Sequence, residues 1–278
     1  MDNHGARPRD ADFTRSLIGS VEPEPPPARL RGPVAGATMP RMRLPHFPLH
    51  TVLFPHLPLP IHVFEERYRG MAEAVMADGS PYAGRFVVSM ITDGREVGGD
   101  AVTQGVGTIC EVRSAERFPD GRWLLLVAGV ARASLSAVDR SGPYATVEAA
   151  ELPEIEGSEA DDLRQAVQRA LDAYLATVKR YVARHASVGK HVQDSSDVTA
   201  TLDQVLKPIR LPDDPVAASY AVAGVLQVEL VRKQQLLELP DAATRLRAEL
   251  ELLRREVRLL DDGSLPPIPA SDLGYHPN

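Results

Sequence analysis

The sequence predicts an α+β protein, in which a small β-barrel or curled sheet with one interrupting helix is followed by an α-helical bundle. Two observations predict it. Short apolar runs separated by turn residues fill 41–153, as in small all-β units. After Pro153 the apolar residues recur every three or four positions, which indicates amphipathic helices over 154–262. The flanking segments 1–40 and 263–278 are rich in proline and are expected to be a disordered and a loose tail.

The predicted sheet is built from five compact apolar runs, at 86–91, 105–112, 123–128, 131–135 and 144–148. Asp120-Gly121 lies just before the third run and predicts a hairpin turn, because glycine tolerates positive φ. The third run is continuously apolar, which predicts a strand buried on both faces.

One helix is predicted within the sheet region, where apolar residues from Phe64 to Met76 recur at helical spacing and Asp78-Gly79 follows. Later helices are predicted at about 160–185, 198–206, 215–227 and 229–239. Asp214-Pro215 is typical of a helix start, and Asp241 is expected to cap the last helix. The apolar stripe of that last helix comprises Leu246, Leu250, Leu253, Val257 and Leu260.

Composition excludes several classes of protein. A net charge of −7 disfavours nucleic-acid binding by bulk attraction. No apolar run is long enough to span a bilayer, and the first forty residues lack the apolar centre of a secretory signal. Cys110 is the only cysteine, which rules out an intrachain disulfide and any cysteine-rich zinc site. We therefore expect a cytoplasmic protein that does not interact with membranes.

No motif points to a cofactor. The glycines of Gly79 to Gly84 have the spacing of a phosphate-binding loop, but Arg85-Phe86 follows them where the motif requires Lys-Ser/Thr. Cys110 lies in a strand pattern and is expected to be a buried structural thiol. Glu65-Glu66 lies beside two arginines and is expected to form ion pairs rather than to act in acid–base catalysis.

A metal site is also disfavoured, although four histidines fall within 17 residues. These are His46, His50, His56 and His62, and prolines are interspersed among them. The rings cannot share a helix face, and no nearby cysteine completes a ligand set. We expect these histidines to lie on the surface of loops.

Several motifs resemble, in order, the N-terminal substrate-binding domain of Lon proteases. The first is the proline-punctuated segment LPHFPLHTVLFPHLPLPIHVF at 44–64, which leads into FEERYRGMAEA at 64–74. GVGT at 105–108 and PDGRWLLLVAGVAR at 119–132 are similar to later strand motifs of that family. KQQLLELPDAATRL at 233–246 is similar to its helical part. The resemblance covers about 41–262.

The resemblance implies a PUA-like β domain at 41–153 and a helical domain at 154–262. It also implies a role in substrate recognition and protein quality control. A Lon protease continues into an ATPase module and a Ser–Lys protease domain, and neither is recognisable before Asn278. We therefore expect a stand-alone, non-catalytic protein of this family, with no cofactor and no metal.

The predicted function is the binding of peptides, either unfolded or apolar-rich polypeptides. The expected site is the groove between the proline-rich segment and the helix from Phe64, and its residues are His56, Leu57, Pro58, Arg67 and Tyr68. Leu57 and Tyr68 are expected to be exposed contacts and Phe54 to be core. The alternatives are an adaptor or scaffold for one defined partner, an RNA-binding protein and a divergent hydrolase. The sequence leaves the client and the oligomeric state open.

Overall fold

The computed structural model describes residues 40–98, 101–186 and 208–262, which hold seven strands and five helices. The strands are β1 (Arg41–Leu49), β2 (Pro58–Val63), β3 (Arg85–Asp93), β4 (Val102–Thr103), β5 (Val106–Arg117), β6 (Trp123–Asp139) and β7 (Thr146–Glu151). The helices are α1 (Glu66–Met76), α2 (Ala160–Ala186), α3 (Pro215–Val225), α4 (Leu230–Glu238) and α5 (Ala242–Asp261). This is the α+β order that the sequence predicts.

The strand pairings follow a circuit, β1-β7-β6-β5-β3, which the pairing of β3 with β1 closes. β1 changes partner halfway along. Residues 41–45 pair with β7 in antiparallel orientation, and residues 46–49 pair with β3 in parallel orientation. β2 and β4 lie outside the circuit, paired with β6 and β3. The sheet is therefore curled on itself, which is one of the two forms that the sequence predicts, and it does not form a regular barrel.

β6 is a single strand of 17 residues, whereas the sequence predicts two strands there. Gly129, which separates the predicted strands, pairs with Cys110 at a shift in register, so the chain remains extended through an irregularity. The prediction that 123–128 is buried on both faces is also wrong. Leu125 and Val127 are buried, but Leu124 and Leu126 are only half-buried, because one face of this part of the sheet is incompletely covered.

The proline-rich segment contributes two strands to the sheet. Proline has no N–H to donate, so a strand tolerates it only where the ladder does not need that donor. β2, which begins at Pro58 and contains Pro60, pairs with β6 alone among the described strands. In β1, the change of partner comes directly after Pro45. The two-residue strand β4 has no counterpart among the predicted runs.

α1 confirms the predicted interrupting helix. Its apolar face buries Tyr68, Met71, Ala72 and Val75. The two ends of the predicted apolar stripe are not buried. Phe64 lies before the first turn and is 38% exposed, and Met76 is 40% exposed. The side chain of Phe64 is therefore available at the surface.

The four later helices begin where the sequence predicts, and two of their N-caps are formed by aspartates. Asp214 Oδ2 accepts a hydrogen bond from the backbone N–H of Ala217 at 2.9 Å. Asp241 Oδ1 accepts one from the N–H of Thr244 at 2.7 Å. Each cap satisfies a donor that the first turn leaves without a partner. The predicted helix at 198–206 lies outside the described residues.

The apolar core is divided into clusters. The largest lies among α2, α3, α4 and α5, and it includes Phe54 from the segment between β1 and β2. A second cluster joins Met71 and Val75 of α1 to Phe86 and Val127 of the sheet. Phe54 therefore ties the β1–β2 segment to the helices. Within the described residues, we find no helix with the length and apolar character needed to cross a membrane.

Candidate functional site

The five predicted site residues fall into two groups that belong to different parts of the structure. His56, Leu57 and Pro58 lie just before and at the start of β2, beside the helical cluster. Arg67 and Tyr68 lie in the first turn of α1, beside the cluster beneath the sheet. The structure therefore does not bring them together as the walls of one groove.

The first group borders α3. The ring of His56 is exposed and lies 6.2 Å from that of Tyr220, centroid to centroid. Leu57 is half-buried and packs against the helical cluster, with its side chain directly over Gly224. Leu57 thus fills a contact between the β1–β2 segment and α3, so the expectation of an exposed recognition contact is wrong for this side chain.

The second group has one buried member. Tyr68 is only 6% exposed, and its ring packs against Phe47 with centroids 4.3 Å apart. Desolvation raises the pKa of its hydroxyl, and the guanidinium of Arg67 lies over the ring, 4.5 Å from its centroid. The expectation that Tyr68 is an exposed contact is therefore wrong, because α1 turns the ring into the core. Arg67 remains at the surface, above it.

Arg67 lines the larger of two neighbouring depressions, which we call the α1 groove. It is an open cleft of about 850 Å³ beside α1. Its lining residues are Glu65, Glu66, Arg67, Arg69, Gly70, Glu73, Gly98 and Pro143. Three carboxylates and two guanidinium groups line it, so the groove offers both hydrogen-bond donors and acceptors.

The smaller depression, which we call the inner cavity, has a volume of about 160 Å³ and shares Arg67 and Pro143 with the α1 groove. Its lining residues are His46, Pro48, Arg67, Tyr68, Ala101, Arg140, Gly142, Pro143, Tyr144 and Ala145. The two depressions are therefore adjacent, and the smaller one is partly open and lies between α1, β1 and the β6–β7 connection.

His46 contradicts the expectation that the histidines lie on loop surfaces. It lies in β1, is 1% exposed, and its Nε2 is 2.6 Å from Ser89 Oγ. Burial, together with the charge of Arg140, lowers its pKa to about 4, so the ring is neutral at physiological pH. Nδ1 is buried without a hydrogen-bond partner among the described residues.

Three aromatic side chains, one exposed and two half-buried, form a group that we call the aromatic patch. It consists of His62, Phe64 and Phe118. The ring of His62 is 6.1 Å from that of Phe64 and 6.4 Å from that of Phe118, the latter edge-on. Phe64 immediately precedes Glu65 of the groove. Sequence reasoning assigned Phe64 to the helix core because it fits the helical spacing, and it missed Phe118, whose only signal was its place at the hairpin turn.

The histidine-rich segment does not form a metal site. His46 faces Ser89, His56 lies beside Tyr220, and His62 belongs to the aromatic patch. Across residues 40–98, 101–186 and 208–262, no three His, Cys, Asp or Glu side chains are grouped to hold an ion. The histidines are dispersed because His46 lies in β1, which pairs with β3 there, His62 lies in β2, which pairs with β6, and His56 lies in the segment between the two strands.

Cys110 and the glycine loop likewise have structural roles. Cys110 is completely buried, its thiol donates to Phe86 O at 3.4 Å, and desolvation raises its pKa, so it remains protonated. The segment from Gly79 to Gly84 leads from α1 into β3. A phosphate-binding loop instead leads from a strand into a helix, so the sequence match is a coincidence of spacing.

Two other quoted motifs meet at a buried polar seam between the sheet and the helices. Arg132 of β6 is 2% exposed, and its Nη1 donates to Leu237 O at 3.0 Å and Leu239 O at 2.6 Å. Its Nε also donates to Glu154 Oε1 at 2.8 Å. Arg132 ends the motif at 119–132, and the two leucines belong to the motif at 233–246.

Arg245 completes this seam from α5. It is fully buried, its Nε donates to Leu236 O at 3.0 Å, and its Nη1 donates to Ser219 Oγ at 2.7 Å. Its guanidinium lies 4.1 Å from the centroid of the Tyr220 ring, whose hydroxyl donates to Glu154 Oε1 at 2.7 Å. These motif residues therefore fix the position of the helices on the sheet, and they line neither the α1 groove nor the inner cavity.

Comparison with known proteins supports one family. Residues 43–255 match the family model described as the ATP-dependent protease La (LON) substrate-binding domain. The chain is 27% identical over 222 residues to the Lon protease of Trichlorobacter lovleyi and 26% identical over 223 residues to that of Escherichia coli K12. The alignments cover 78% and 79% of this chain, but only 24% and 26% of those proteins. The chain thus spans about a quarter of the length of these curated relatives.

Solved structures give the same result for the fold. The N-terminal domain of the Lon protease from the Mycobacterium avium complex matches with a TM-score of 0.52 and 21% identity, over 77% of this chain and 98% of that one. A Lon N-terminal domain protein from Xanthomonas campestris matches with a TM-score of 0.50 and 20% identity, over 76% and 98%. With the family model covering residues 43–255, these findings show that the chain belongs to the family of Lon substrate-binding domains.

Proposed function

We propose that this domain recognises polypeptide chains and does not itself catalyse a reaction on them. The observation that carries the proposal is that Phe64 of the aromatic patch directly precedes Glu65 of the α1 groove, in a chain of the substrate-binding family. The α1 groove provides polar contacts and the patch provides apolar ones. An unfolded polypeptide presents both kinds of group along its length.

The shape of the surface supports weak and permissive binding. The α1 groove is open and lined mainly by charged side chains, which suits the polar backbone of an extended chain. Phe64 is 38% exposed beside it, so an apolar side chain of the client can be desolvated there. A module that accepts many clients relies on such adaptable contacts, and its affinity for any one of them is modest.

Within this proposal the sequence-predicted residues have separate roles. Arg67 contacts the client from the α1 groove, and Tyr68 supports Arg67 from beneath. His56 and Pro58 are exposed at the start of β2, outside the α1 groove, and Leu57 anchors that segment on α3. We further propose that the domain acts in the cytoplasm, where a single reduced cysteine is unremarkable.

Fluorescence anisotropy of a labelled, unfolded peptide tests the proposal. The variant is Phe64→Ala, and the matched control is Leu230→Ala, which removes a side chain of almost equal exposure, 37%, at the start of α4. We expect Phe64→Ala to weaken binding roughly three- to tenfold with an unchanged melting temperature. The control variant should bind like the parent chain.

Two outcomes would contradict the proposal. Equal binding by both variants would place the recognition surface elsewhere. Absence of peptide binding, combined with tight capture of one folded protein, would replace general recognition by an adaptor role.

A further inference from the structure

The inner cavity has a composition that differs from that of the α1 groove. Two guanidinium groups, Arg67 and Arg140, line it together with His46, Tyr68 and Tyr144, and none of its lining residues is acidic. Its volume of about 160 Å³ is several times that of one water molecule. The cavity therefore has room for a small polar group surrounded mainly by hydrogen-bond donors.

Two acidic side chains that act on Tyr68 of the cavity are bound to other groups. Glu65 Oε2 lies 3.2 Å from Arg67 Nη2 and accepts from the N–H of Gly98 at 3.1 Å. Glu96 Oε2 accepts from the N–H of His50 at 3.0 Å. Both carboxylates thus have partners, and Glu65 balances the charge of Arg67.

Arg140 differs from Arg67 in this respect. Its Nη2 donates to the backbone carbonyl of Ala101 at 3.0 Å, and within the described residues no carboxylate lies at ion-pair distance from it. A carbonyl oxygen occupies one donor of a guanidinium but does not neutralise it. Arg140 therefore gives the inner cavity a positive charge that has no counter-ion among those residues.

His46 supplies a second and independent observation. It is 99% removed from solvent, yet its Nδ1 has no hydrogen-bond partner in the described part of the chain. A buried polar atom without a partner is costly, so each one in a native protein calls for an explanation, such as an ordered water or a bound group. The Ser89 hydroxyl can donate to Nε2, which leaves the proton on Nδ1 and makes it a donor.

We propose that the inner cavity is a carboxylate subsite, which takes the C-terminal α-carboxylate or an acidic side chain of a polypeptide lying in the α1 groove. A carboxylate is planar, carries one charge and matches the fork of a guanidinium such as Arg140. Arg67 and Pro143 border both depressions, so a chain in the groove can extend one group into the cavity. This inference rests on the proposed function and adds that the domain recognises a carboxylate group of the client.

The test compares matched peptides on the whole chain. One unfolded peptide without acidic residues is used as the free acid and as the C-terminal amide. A second amidated peptide carries one internal Glu, which is replaced by Gln in its partner. We expect the carboxylate that the cavity takes to tighten binding about tenfold by anisotropy, and the other carboxylate to have no such effect. The arm that shows the preference identifies which carboxylate the cavity takes.

Arg140→Gln should abolish this preference, because it removes the charge from an exposed side chain without altering the core. Arg113→Gln is the matched control, since Arg113 is an exposed arginine on β5 outside both depressions. Equal affinity for acid and neutral peptides in the parent chain would overturn the subsite and leave the proposed function standing. A preference that survives in Arg140→Gln would overturn it as well.

A peptide-free measurement separates the two hypotheses. Sodium acetate should raise the melting temperature of the parent chain relative to sodium chloride at equal ionic strength, and it should not do so for Arg140→Gln. If no peptide binds but acetate stabilises in this way, the proposed function fails and a subsite for polypeptide carboxylates fails with it, whereas peptide binding without a carboxylate preference overturns the subsite alone. If acetate and chloride act alike, the subsite is refuted.

Discussion

Arg132 Nη1 donates hydrogen bonds to the carbonyl oxygens of both Leu237 and Leu239, so a strand of the sheet is bound to the end of a helix more than 100 residues later. The side chain is almost completely buried, and Glu154 balances its charge. This contact satisfies carbonyl groups that the C-terminal end of α4 leaves without intrahelical partners. The β-structure and the helices are therefore joined by a buried polar contact as well as by apolar packing.

Arg132→Met tests the importance of this contact. The substitution keeps much of the side-chain volume but leaves the carbonyl groups of Leu237 and Leu239 without their donor, and Glu154 keeps the hydrogen bond from Tyr220. We expect the free energy of unfolding to fall by about 1–3 kcal/mol, because buried acceptors are left without a partner. Urea unfolding measures it. Arg122→Met, at the exposed hairpin turn, is the control and should change stability little. A similarly small loss of stability for Arg132→Met would mean that the polar contacts of the seam contribute little to the free energy of unfolding.

Gly129 provides a second test of the same region. A Cβ at this position would overlap the backbone carbonyl of Phe54, which is held there by the pairing of the β1–β2 segment with β6. Backbone cannot move aside as the end of a side chain can, so Gly129→Ala should destabilise the fold by roughly 1–3 kcal/mol. Gly105→Ala is the matched control, because nothing lies within 4 Å of its added methyl group. Equal melting temperatures for the two variants would contradict the close approach.

Glu249 is a fully buried carboxyl group of α5, with neither oxygen hydrogen-bonded within the described residues. Desolvation raises its pKa well above the ordinary value of 4.5, and the nearby charge of Arg245 opposes this only in part. The folded state therefore binds the proton more tightly than the unfolded state. Stability is fully present below pH 4.5 and is lost as pH rises through the raised pKa.

Glu249→Gln should remove this loss. We expect the variant to gain stability over the parent chain as pH rises above 4.5, by about 1.4 kcal/mol for each unit by which the pKa is raised. Thermal melts from pH 4 to pH 8 follow the difference. Parallel stability curves for the two chains would show that Glu249 ionises in the fold at its ordinary pKa.

Leu253 lies in the middle of the apolar stripe of α5 and is fully buried among the helices. Leu253→Asp places a carboxylate there without a partner, at a cost of several kcal/mol or a strong rise in its pKa. We expect the helices to lose cooperative melting by circular dichroism. Leu252→Asp, one position away and only half-buried, should be milder. An unchanged melt for Leu253→Asp would mean that the stripe does not pack in solution.

Local chemistry made much of the fold predictable. The Asp214-Pro215 pair, the Asp241 cap and the stripe of α5 depend on residues within a few positions of each other, and the structure confirms them. The change of partner in β1 could not be predicted, because it depends on two strands that follow it in the chain. The burial of Arg132 could not be predicted either, because the carbonyl groups that accept its hydrogen bonds lie at the end of α4, more than 100 residues later.

The candidate site was predicted in part. Arg67, one of the five predicted site residues, lines both depressions. Phe64 has the right spacing for the apolar stripe of that helix, but α1 begins two residues later and leaves it exposed. The prolines that flank His46 predict a surface loop, yet the residue lies in β1, which pairs first with β7 and then with β3. Both errors arise because exposure depends on where an element starts and what covers it.

Hydrogen–deuterium exchange of the whole chain, with and without a saturating unfolded polypeptide, tests the central claim most directly. A reduced and alkylated protein that cannot refold is a suitable probe. Polypeptide recognition at the α1 groove predicts slower exchange in 62–76 and around Phe118, with the amides of α2 and α5 unchanged. Protection confined to α2–α5, or no protection at any peptide concentration, would contradict it.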